Sequence, residues 1–313
     1  NSEPSLYKIE KELLSQKCNT KIKAILANVD NFELLNDIFK KQKVDVIFHA
    51  AAYKHVPLVE KNPISGLLNN VISTRSVCEA AIKNNIKQVV LISSDKAVRP
   101  TNIMGASKRL SELIVQAYAD KFDTKKTNNK YQTIFSMVRF GNVLNSSGSV
   151  VPLFREQIKS GGPITLTHEN VERFFMTIPE ASHLVLQAAC LGKGGELFLL
   201  DMGEPVKIYH LAEQMVRLSG LKIKDKNNLD GDIEILSIGL RPGEKMYEEL
   251  LIDAKSESTE HPLIFKAQED FIPYDNFLPK IKILEKHLKN FDEESALFLL
   301  KELVPSWKKD STL

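Results

Sequence analysis

A hydroxyl, a carboxyl and an amine stand side by side at Ser94-Asp95-Lys96, and a second hydroxyl, Ser93, comes directly before them. Neighbours of such different acidity can take one proton, give another and steady a third, as general acid–base chemistry on a hydroxyl-rich substrate requires. Downstream, Pro100-Thr101-Asn102-Ile103-Met104-Gly105-Ala106-Ser107-Lys108 sets Lys108 four residues after Met104, one helical turn away. The cluster contains a tension: an adjacent carboxylate and ammonium stabilise each other's charged forms, whereas acid–base work wants Asp95 protonated and Lys96 neutral. Desolvation pushes both groups the required way, and in a dry pocket they titrate as one coupled unit. The plainer reading makes Ser94 and Asp95 turn residues and Lys96 a solvated charge.

Other positions carry less specific signals. Ala50-Ala51-Ala52 follow an apolar run ending at His49, and such small side chains let a flat ligand lie against the backbone, although plain helix–sheet packing uses them too. Asp30 could hydrogen-bond an adenine amino group or cap a helix over Phe32 to Lys40. Arg241 and Glu244, in Arg241-Pro242-Gly243-Glu244-Lys245, suit a bidentate grip on phosphate and a carboxylate on ribose hydroxyls, or a surface ion pair after a Pro-Gly turn. Asn142, following Arg139-Phe140-Gly141, reads in isolation as a turn residue. Phe174-Phe175-Met176 after Arg173 reads most simply as core.

Positioning these groups falls to elements that alternate along the chain. Short apolar, β-branched runs predict strands over Ile22 to Ala27, Val44 to His49, Gln88 to Ser93 and Thr133 to Phe140. Longer amphipathic stretches predict helices over Glu3 to Ser15, over Pro63 to Asn84, where Asn62 can cap and Pro63 fills the first turn, and from about Met104 to Lys121. This alternation is the signature of βαβ units in a doubly wound parallel sheet, whose ligands sit at the C-terminal strand ends, where residues 93 to 96 fall. After Gly148 the pattern changes to a helix over Val150 to Lys159, a Gly161-Gly162-Pro163 turn, short strands, and helices over Pro179 to Leu191 and Lys207 to Ser219. Asp225 to Asp232 reads as a polar surface loop. We therefore expect an α/β protein: a Rossmann-like sheet in residues 1–147, then a smaller α/β lobe in 148–313 ending in two amphipathic helices from Tyr274 onward, a lobe to which the resemblance described below assigns substrate binding.

Composition narrows the partners. The 313 residues are 43% hydrophobic and 26% charged, enough for a large core, and the net charge of +2 comes with Lys and Arg spread along the chain, so no nucleic-acid partner is expected. Cys18, Cys78 and Cys190 are odd in number and far apart, which argues against a disulfide framework or a metal site and for a reducing compartment. No apolar run approaches the roughly 20 residues that span a bilayer. The N-terminus lacks the order of a signal peptide, and a soluble, cytoplasmic segment without membrane contact is expected.

The motifs AAAYKHVPLVEKNP, SSDKAVRPTNIMGASKR, RFGNVLNSSGSVVPLF, RFFMTIPEA and GLRPGEKMYEEL resemble those of the large, usually membrane-anchored UDP-N-acetylglucosamine 4,6-dehydratases. These belong to the extended short-chain dehydrogenase/reductase superfamily and serve bacterial polysaccharide and glycoprotein glycan synthesis. The likeness runs over nearly the whole chain. Short-chain dehydrogenases carry a Tyr four residues before the helix Lys; Met104 stands there instead, as in this large subfamily, and Ser94 stands where the subfamily commonly has Thr. The resemblance implies a hydro-lyase. Oxidation of the hexose C4 to a ketone, its hydride lodged on NAD, acidifies C5–H; a base removes that proton, an acid protonates the departing C6 hydroxyl, and the hydride returns to C6. By resemblance Ser94 serves the C4 hydroxyl, Asp95 is the acid at C6 and Lys96 the base at C5. Asp30, Ala50, Ala51, Ala52, Ser93 and Lys108 are implied for NAD, with NADP the other option, and Lys54, His55, Asn142, Arg173, Arg241 and Glu244 for the UDP-sugar. A homo-oligomer is also implied, as is a membrane anchor upstream that would hold the enzyme at the cytoplasmic face of the inner membrane. The alternatives are an NAD-dependent epimerase or reductase of the same superfamily, expected to keep Tyr at position 104, and a non-catalytic sugar-nucleotide-binding protein.

One part of the family pattern is missing. A dinucleotide site needs a glycine-rich strand–turn–helix whose amides cradle the pyrophosphate, and the first glycine here is Gly66. The Rossmann-like sheet is therefore expected to be incomplete at its N-terminus, and this polypeptide to bind NAD poorly and to expose strands prone to aggregation.

Overall fold

Residues 1–16, 19–123, 133–250 and 256–308 are described by a computed structural model, so Cys18 lies outside the described residues. The chain opens on α1 (Glu3–Ser15), which buries none of its residues, and α2 (Phe32–Gln42). β1 (Val46–His49) and α3 (Val56–Lys61) lead into α4 (Pro63–Leu67), a π turn (Leu68–Ile72) and α5 (Ser73–Lys83). Next come β2 (Gln88–Ile92), a 3-10 turn (Asp95–Ala97), α6 (Ile103–Lys121), β3 (Ile134–Arg139), β4 (Asn142–Val143) and α7 (Val150–Lys159). β5 (Ile164–Leu166), β6 (Glu172–Arg173), β7 (Phe175–Met176), α8 (Ile178–Leu191), β8 (Leu197–Leu200), β9 (Val206–Lys207) and α9 (Ile208–Leu218) follow. The chain continues through β10 (Ile223–Lys224), β11 (Ile233–Ser237), β12 (Ser256–Ser258), β13 (Ile264–Ala267), α10 (Tyr274–Lys289) and α11 (Glu293–Leu303).

Alternation along the strands builds the core. The main sheet runs β1-β2-β3-β8-β13-β12, parallel through β8 and antiparallel beyond it. Val89, Leu91, Phe135, Met137, Leu197 and Leu199 point to one face, where α5, α6, α10 and α11 cover them. Val90, Val138, Phe198 and Leu200 point to the other, against Ala181, Leu184, Val185 and Ala188 of α8. Burial on both faces explains why these strands read as unbroken apolar runs. Helix α6 is buried along nearly its whole length and starts from Asn102, whose side chain accepts from Gly105 N–H. A separate, smaller core joins α7 and α9 to β5 and β11 through Phe154, Ile158, Ile164, Ala212, Val216 and Ile233. The expected Gly161-Gly162 turn is there, both glycines at positive φ, 86° and 83°, where a side chain is strained.

Four expectations need correction. Ile22–Ala27 forms no strand: among the described residues β1 pairs with β2 alone, and an apolar segment without a hydrogen-bonded neighbour stays irregular. Ile25, Leu26, Val46 and Phe48 are exposed along this side. Asn31, not Asp30, caps α2, accepting from Leu34 N–H at 3.0 Å. Asn62 precedes α4, but its amide donates back to Leu58 O at 2.9 Å instead of capping. The division at 147/148 does not separate two cores, because β8, β12 and β13 rejoin the main sheet and α10 and α11 pack on its helical layer.

Candidate active site

The cluster at the end of β2 is fixed by the backbone first. Asp95 N–H donates to Phe140 O at 3.1 Å, tying the 3-10 turn to the end of β3. Ser94 caps that turn: its Oγ accepts from Lys96 N–H at 3.3 Å and donates to Asp95 Oδ1 at 2.8 Å. Lys96 Nζ then donates to Asp95 Oδ1 at 2.9 Å and to Asn142 Oδ1 at 3.2 Å. Glu248 brings Oε1 to 3.7 Å from the same ammonium. The side chains of Asp95 and Glu248 are 1% and 4% exposed, that of Lys96 23%. Asp95 Oδ2 and Glu248 Oε2 are buried and find no hydrogen-bond partner among the described residues. A buried carboxylate oxygen without a donor is costly, and a substrate hydroxyl or a proton would satisfy it.

Electrostatics at this point are a contest between burial and neighbours. Burial pushes the Lys96 ammonium down, but the Asp95 and Glu248 carboxylates outweigh it and its pKa stands above the ordinary value. Burial also raises the Glu248 carboxyl, against the pull of Lys96 and Arg173. One amine thus sits between two carboxylates, each offering one oxygen to it and keeping one in reserve.

Behind the cluster lies a buried ion network. Arg139, at the end of β3 and 0% exposed, binds Glu112 of α6 (Nη2 to Oε2, 2.7 Å) and Glu269 (Nη1 to Oε1, 2.8 Å). Arg109 joins the same two carboxylates at 3.1 and 2.7 Å. Ser93 Oγ donates to Glu112 Oε1 at 2.6 Å, so this hydroxyl, expected at the cofactor, also braces the strand end. Burial would raise the Glu112 carboxyl, but Arg139 and Arg109 hold it below its usual range. Gly105 lets the first turn of α6 approach: a Cβ there would lie 2.2 Å from Lys96 O. Gly105→Ala is therefore expected to displace the 3-10 turn and lower turnover at least tenfold, with about 1–3 kcal/mol of lost stability from overpacking. Initial rates and thermal melts check this, and a wild-type rate would contradict it.

The segment from Arg241 to Glu248 works as a clamp. Gly243, at φ 72°, lies so close to the 101–102 turn that a Cβ would meet Asn102 Cβ at 2.9 Å. Gly243 O accepts from Thr101 Oγ1 and Asn102 Nδ2 at 2.7 and 3.0 Å, and Lys245 Nζ donates to Val98 O at 2.8 Å. Arg173 donates to Glu244 Oε1, Lys245 O and Met246 O at 3.2, 2.8 and 3.1 Å. Thr167 Oγ1 also donates to Glu244 Oε1, at 3.0 Å. Arg173 and Glu244, expected at the substrate, thus hold the strip that carries Glu248. Arg241 is exposed, and its guanidinium meets no partner among the described residues.

The remaining expected positions line the neighbouring strand ends. Ala50 and Ala51 are open to solvent beyond β1, with Ala52 half-buried and Asp30 half-buried ahead of α2. Lys108 Nζ donates to Ile92 O at 2.6 Å, and burial drives its pKa down to about 8, against the pull of Glu112. His49 is buried against Thr74 Oγ1 at 3.0 Å, its pKa lowered to about 3 by burial and the Lys108 charge. Met104 is buried in the main core, where its thioether can move no proton. Lys54 reaches Ser146 Oγ at 3.5 Å; burial and the nearby Lys96 charge lower its pKa. His55 lies against Gly148, where a Cβ would come within 2.3 Å of its ring. Both line a cleft of about 490 Å³ with Ala52, Tyr53, Leu58 and Gly66. Asn70, in the π turn, was not marked by the sequence: it binds Tyr53 N–H at 2.7 Å and Ser107 Oγ at 2.8 Å, joining the cleft loop to α6. These residues fit the nicotinamide-ribose end of a dinucleotide: small side chains for a flat ring and an ammonium for hydroxyls. A glycine cradle for the pyrophosphate is not among them, since no glycine precedes Gly66.

Comparisons with known proteins agree on a common architecture. The family described as "Polysaccharide biosynthesis protein" matches residues 1–269. The capsular polysaccharide biosynthesis protein CapD of Staphylococcus aureus is 48% identical over 253 residues, 80% of this chain; the chain spans only 40% of that relative's length. A UDP-glucose 4-epimerase of Rickettsia canadensis is 37% identical over 233 residues, covering 74% of this chain and 63% of that protein. Among solved structures, that of Pen from Bacillus thuringiensis superposes with a TM-score of 0.74 at 33% identity, covering 88% of this chain and 81% of that one. A double mutant of the dTDP-glucose 4,6-dehydratase DesIV from Streptomyces venezuelae, solved with NAD and DAU bound, gives 0.63 at 18% identity, covering 77% and 74%, a likeness of fold. The Rossmann-like architecture expected from the sequence is thereby shown. No helix among the described residues is long and apolar enough to cross a membrane.

Proposed function

Since this chain belongs to the polysaccharide biosynthesis protein family, a group of short-chain dehydrogenase-type sugar-nucleotide enzymes, we propose that it catalyses NAD-dependent 4,6-dehydration of a UDP-N-acetylhexosamine, with UDP-N-acetylglucosamine as substrate. The observation that carries this reading is one amine held between buried carboxylates beside a hydroxyl, Ser94, Asp95, Lys96 and Glu248. Epimerisation at C4 needs proton handling at one carbon only. Dehydration needs it at C4, C5 and C6, and the cluster supplies groups for all three.

The protons balance without an outside acid. The C4 hydroxyl gives its proton to Ser94 Oγ, which passes its own to Asp95 Oδ1 along the 2.8 Å hydrogen bond. NAD, when bound, would supply the hydride acceptor needed for C4 to become a ketone and the hydride donor needed at C6. Asp95, now protonated, delivers that proton to the departing C6 hydroxyl, which leaves as water. Neutral Lys96 takes the C5 proton, made acidic by the ketone, and returns a proton to C5 at the end of the cycle. Asp95 begins and ends ionised. Lys108 would hold the nicotinamide ribose, with the Ala50 to Ala52 strip against the flat face of the cofactor and Asp30 toward the adenine. Lys54 and His55 face the sugar, and Asn142 and exposed Arg241 the diphosphate. A cytoplasmic location, at the face of the inner membrane where an anchor precedes this segment, goes with this reading.

Incubation of the holoenzyme with UDP-N-acetylglucosamine is expected to give the 4-keto-6-deoxy sugar nucleotide, read by NMR. Recovery of only the C4 epimer would replace this reading with the epimerase one, which the Rickettsia relative's name favours.

A further inference from the structure

Dehydration requires Lys96 without its proton, yet the resting site holds Lys96 as an ammonium bonded to Asp95. Asp95 cannot relieve it, because that carboxylate must receive the C4 proton by way of Ser94. We infer that Glu248 is the group that takes the Lys96 proton once substrate fills the site, so that Lys96 meets C5 as a free amine. This deepens the dehydratase reading and rests on it.

The geometry supports this in three ways. Glu248 Oε1 is 3.7 Å from Lys96 Nζ, and a shift of under ~1 Å brings the pair to hydrogen-bond distance; such contacts commonly tighten on substrate binding. The Glu248 side chain is 4% exposed and its Oε2 has no partner among the described residues, so the resting carboxylate is under-solvated and a neutral acid suits the position better. The clamp also delivers Glu248 from far along the chain: Gly243 on Thr101 and Asn102, Lys245 on Val98, and Arg173 on Glu244 and Lys245 fix the strip relative to the Lys96 turn.

The charged groups around the pair, among the described residues, come from several elements. Asp95 and Glu248 favour the ammonium, Arg173 opposes it, and Lys54 stands on the open side. Around Glu248, Lys96, Arg173 and Lys245 favour the carboxylate while burial and Asp95 disfavour it. In the resting site the balance leaves the proton on Lys96, whose side chain is still 23% exposed to water. Substrate covering that opening removes the solvation of both ions, and a buried ion pair gives way to its neutral form when desolvation exceeds its mutual attraction. The transfer is balanced: one N–H bond of Lys96 breaks, one O–H bond forms at Glu248 Oε1, and the pair keeps one proton throughout. Glu248 touches no reacting atom; it is a positioning residue that acts through Lys96.

A shared proton makes the wild-type rate independent of bulk pH over the neutral range, because no proton leaves the site. Glu248→Gln removes the acceptor, so Lys96 must lose its proton to solvent. The holoenzyme carrying E248Q is expected to dehydrate UDP-N-acetylglucosamine at least tenfold more slowly than wild type at pH 7. Its rate should climb about tenfold per pH unit toward alkaline values, against a flat wild-type profile. Glu248→Asp, a proton acceptor with shorter reach, should keep the flat profile at a reduced rate, which guards against a folding defect in E248Q. Glu249→Gln, next door and partly exposed, should behave as wild type. An E248Q profile parallel to wild type, whatever its height, overturns this inference while leaving the dehydratase reading intact. Absence of 4-keto-6-deoxy product from the wild-type holoenzyme sinks both.

Discussion

Asp95→Asn is expected to lower turnover of the dehydration by about 10²–10⁴-fold, the usual weight of one general acid, with a much smaller change in KM. An Asn carboxamide keeps the shape of the side chain and can still accept from Lys96 Nζ and Ser94 Oγ, so the turn tied to Phe140 O should persist. What it loses is the ability to carry the C4 proton to the C6 hydroxyl. Lys96→Met should cost as much by a different route, since nothing then takes the C5 proton and the Asp95 and Glu248 carboxylates face each other across an apolar side chain. Rates of 4-keto sugar formation, with circular dichroism to confirm folding, check both variants. Near-normal turnover by either would remove that residue from the mechanism.

The second large effect concerns stability. Arg139→Met is expected to cost about 3–5 kcal/mol and lower Tm by roughly 10 °C, because it strips Glu112 and Glu269 of their shared guanidinium in a buried site. Arg109 alone cannot satisfy both carboxylates. Adding Glu269→Gln should restore part of the loss, since the leftover charge and not the missing packing dominates. Thermal melts of the single and double variants decide this. A Tm within 2 °C of wild type for Arg139→Met alone would contradict the account of the network.

What could be read in advance follows from how local each feature is. β2 and β3 were legible because Gln88–Ile92 and Ile134–Arg139 are apolar on both faces and their neighbours in the sheet are each other. Ile22–Ala27 has the same composition but no ladder partner, and composition does not record pairing. The division at 147/148 failed for a related reason: β8 pairs with β3, and α10 packs on α6, across long stretches of chain that no local pattern marks. Within the site, Ser94, Asp95 and Lys96 were visible as three consecutive chemistries. Glu248 was hidden among the charges of Glu244-Lys245-Met246-Tyr247-Glu248-Glu249, where helical or turn spacing gives no sign that one carboxylate is buried and its neighbour is not. Arg109, Glu112 and Arg139 went unmarked as a network, since a buried ion network leaves no signature in hydrophobic periodicity. The Arg-Pro-Gly-Glu-Lys motif was noticed for phosphate chemistry, yet most of its contacts are to the chain itself: glycine for close approach, lysine for a carbonyl, glutamate for Arg173.

The central claim is that one site moves protons at C4, C5 and C6 while the C4 hydrogen is carried to C6. Conversion of UDP-N-acetylglucosamine deuterated at C4 by the holoenzyme in ordinary water tests it most directly. The expected product is a 4-keto-6-deoxy sugar with the deuterium in its C6 methyl group and none left at C4. Deuterium found back at C4, or a C6 still bearing its hydroxyl, would contradict it.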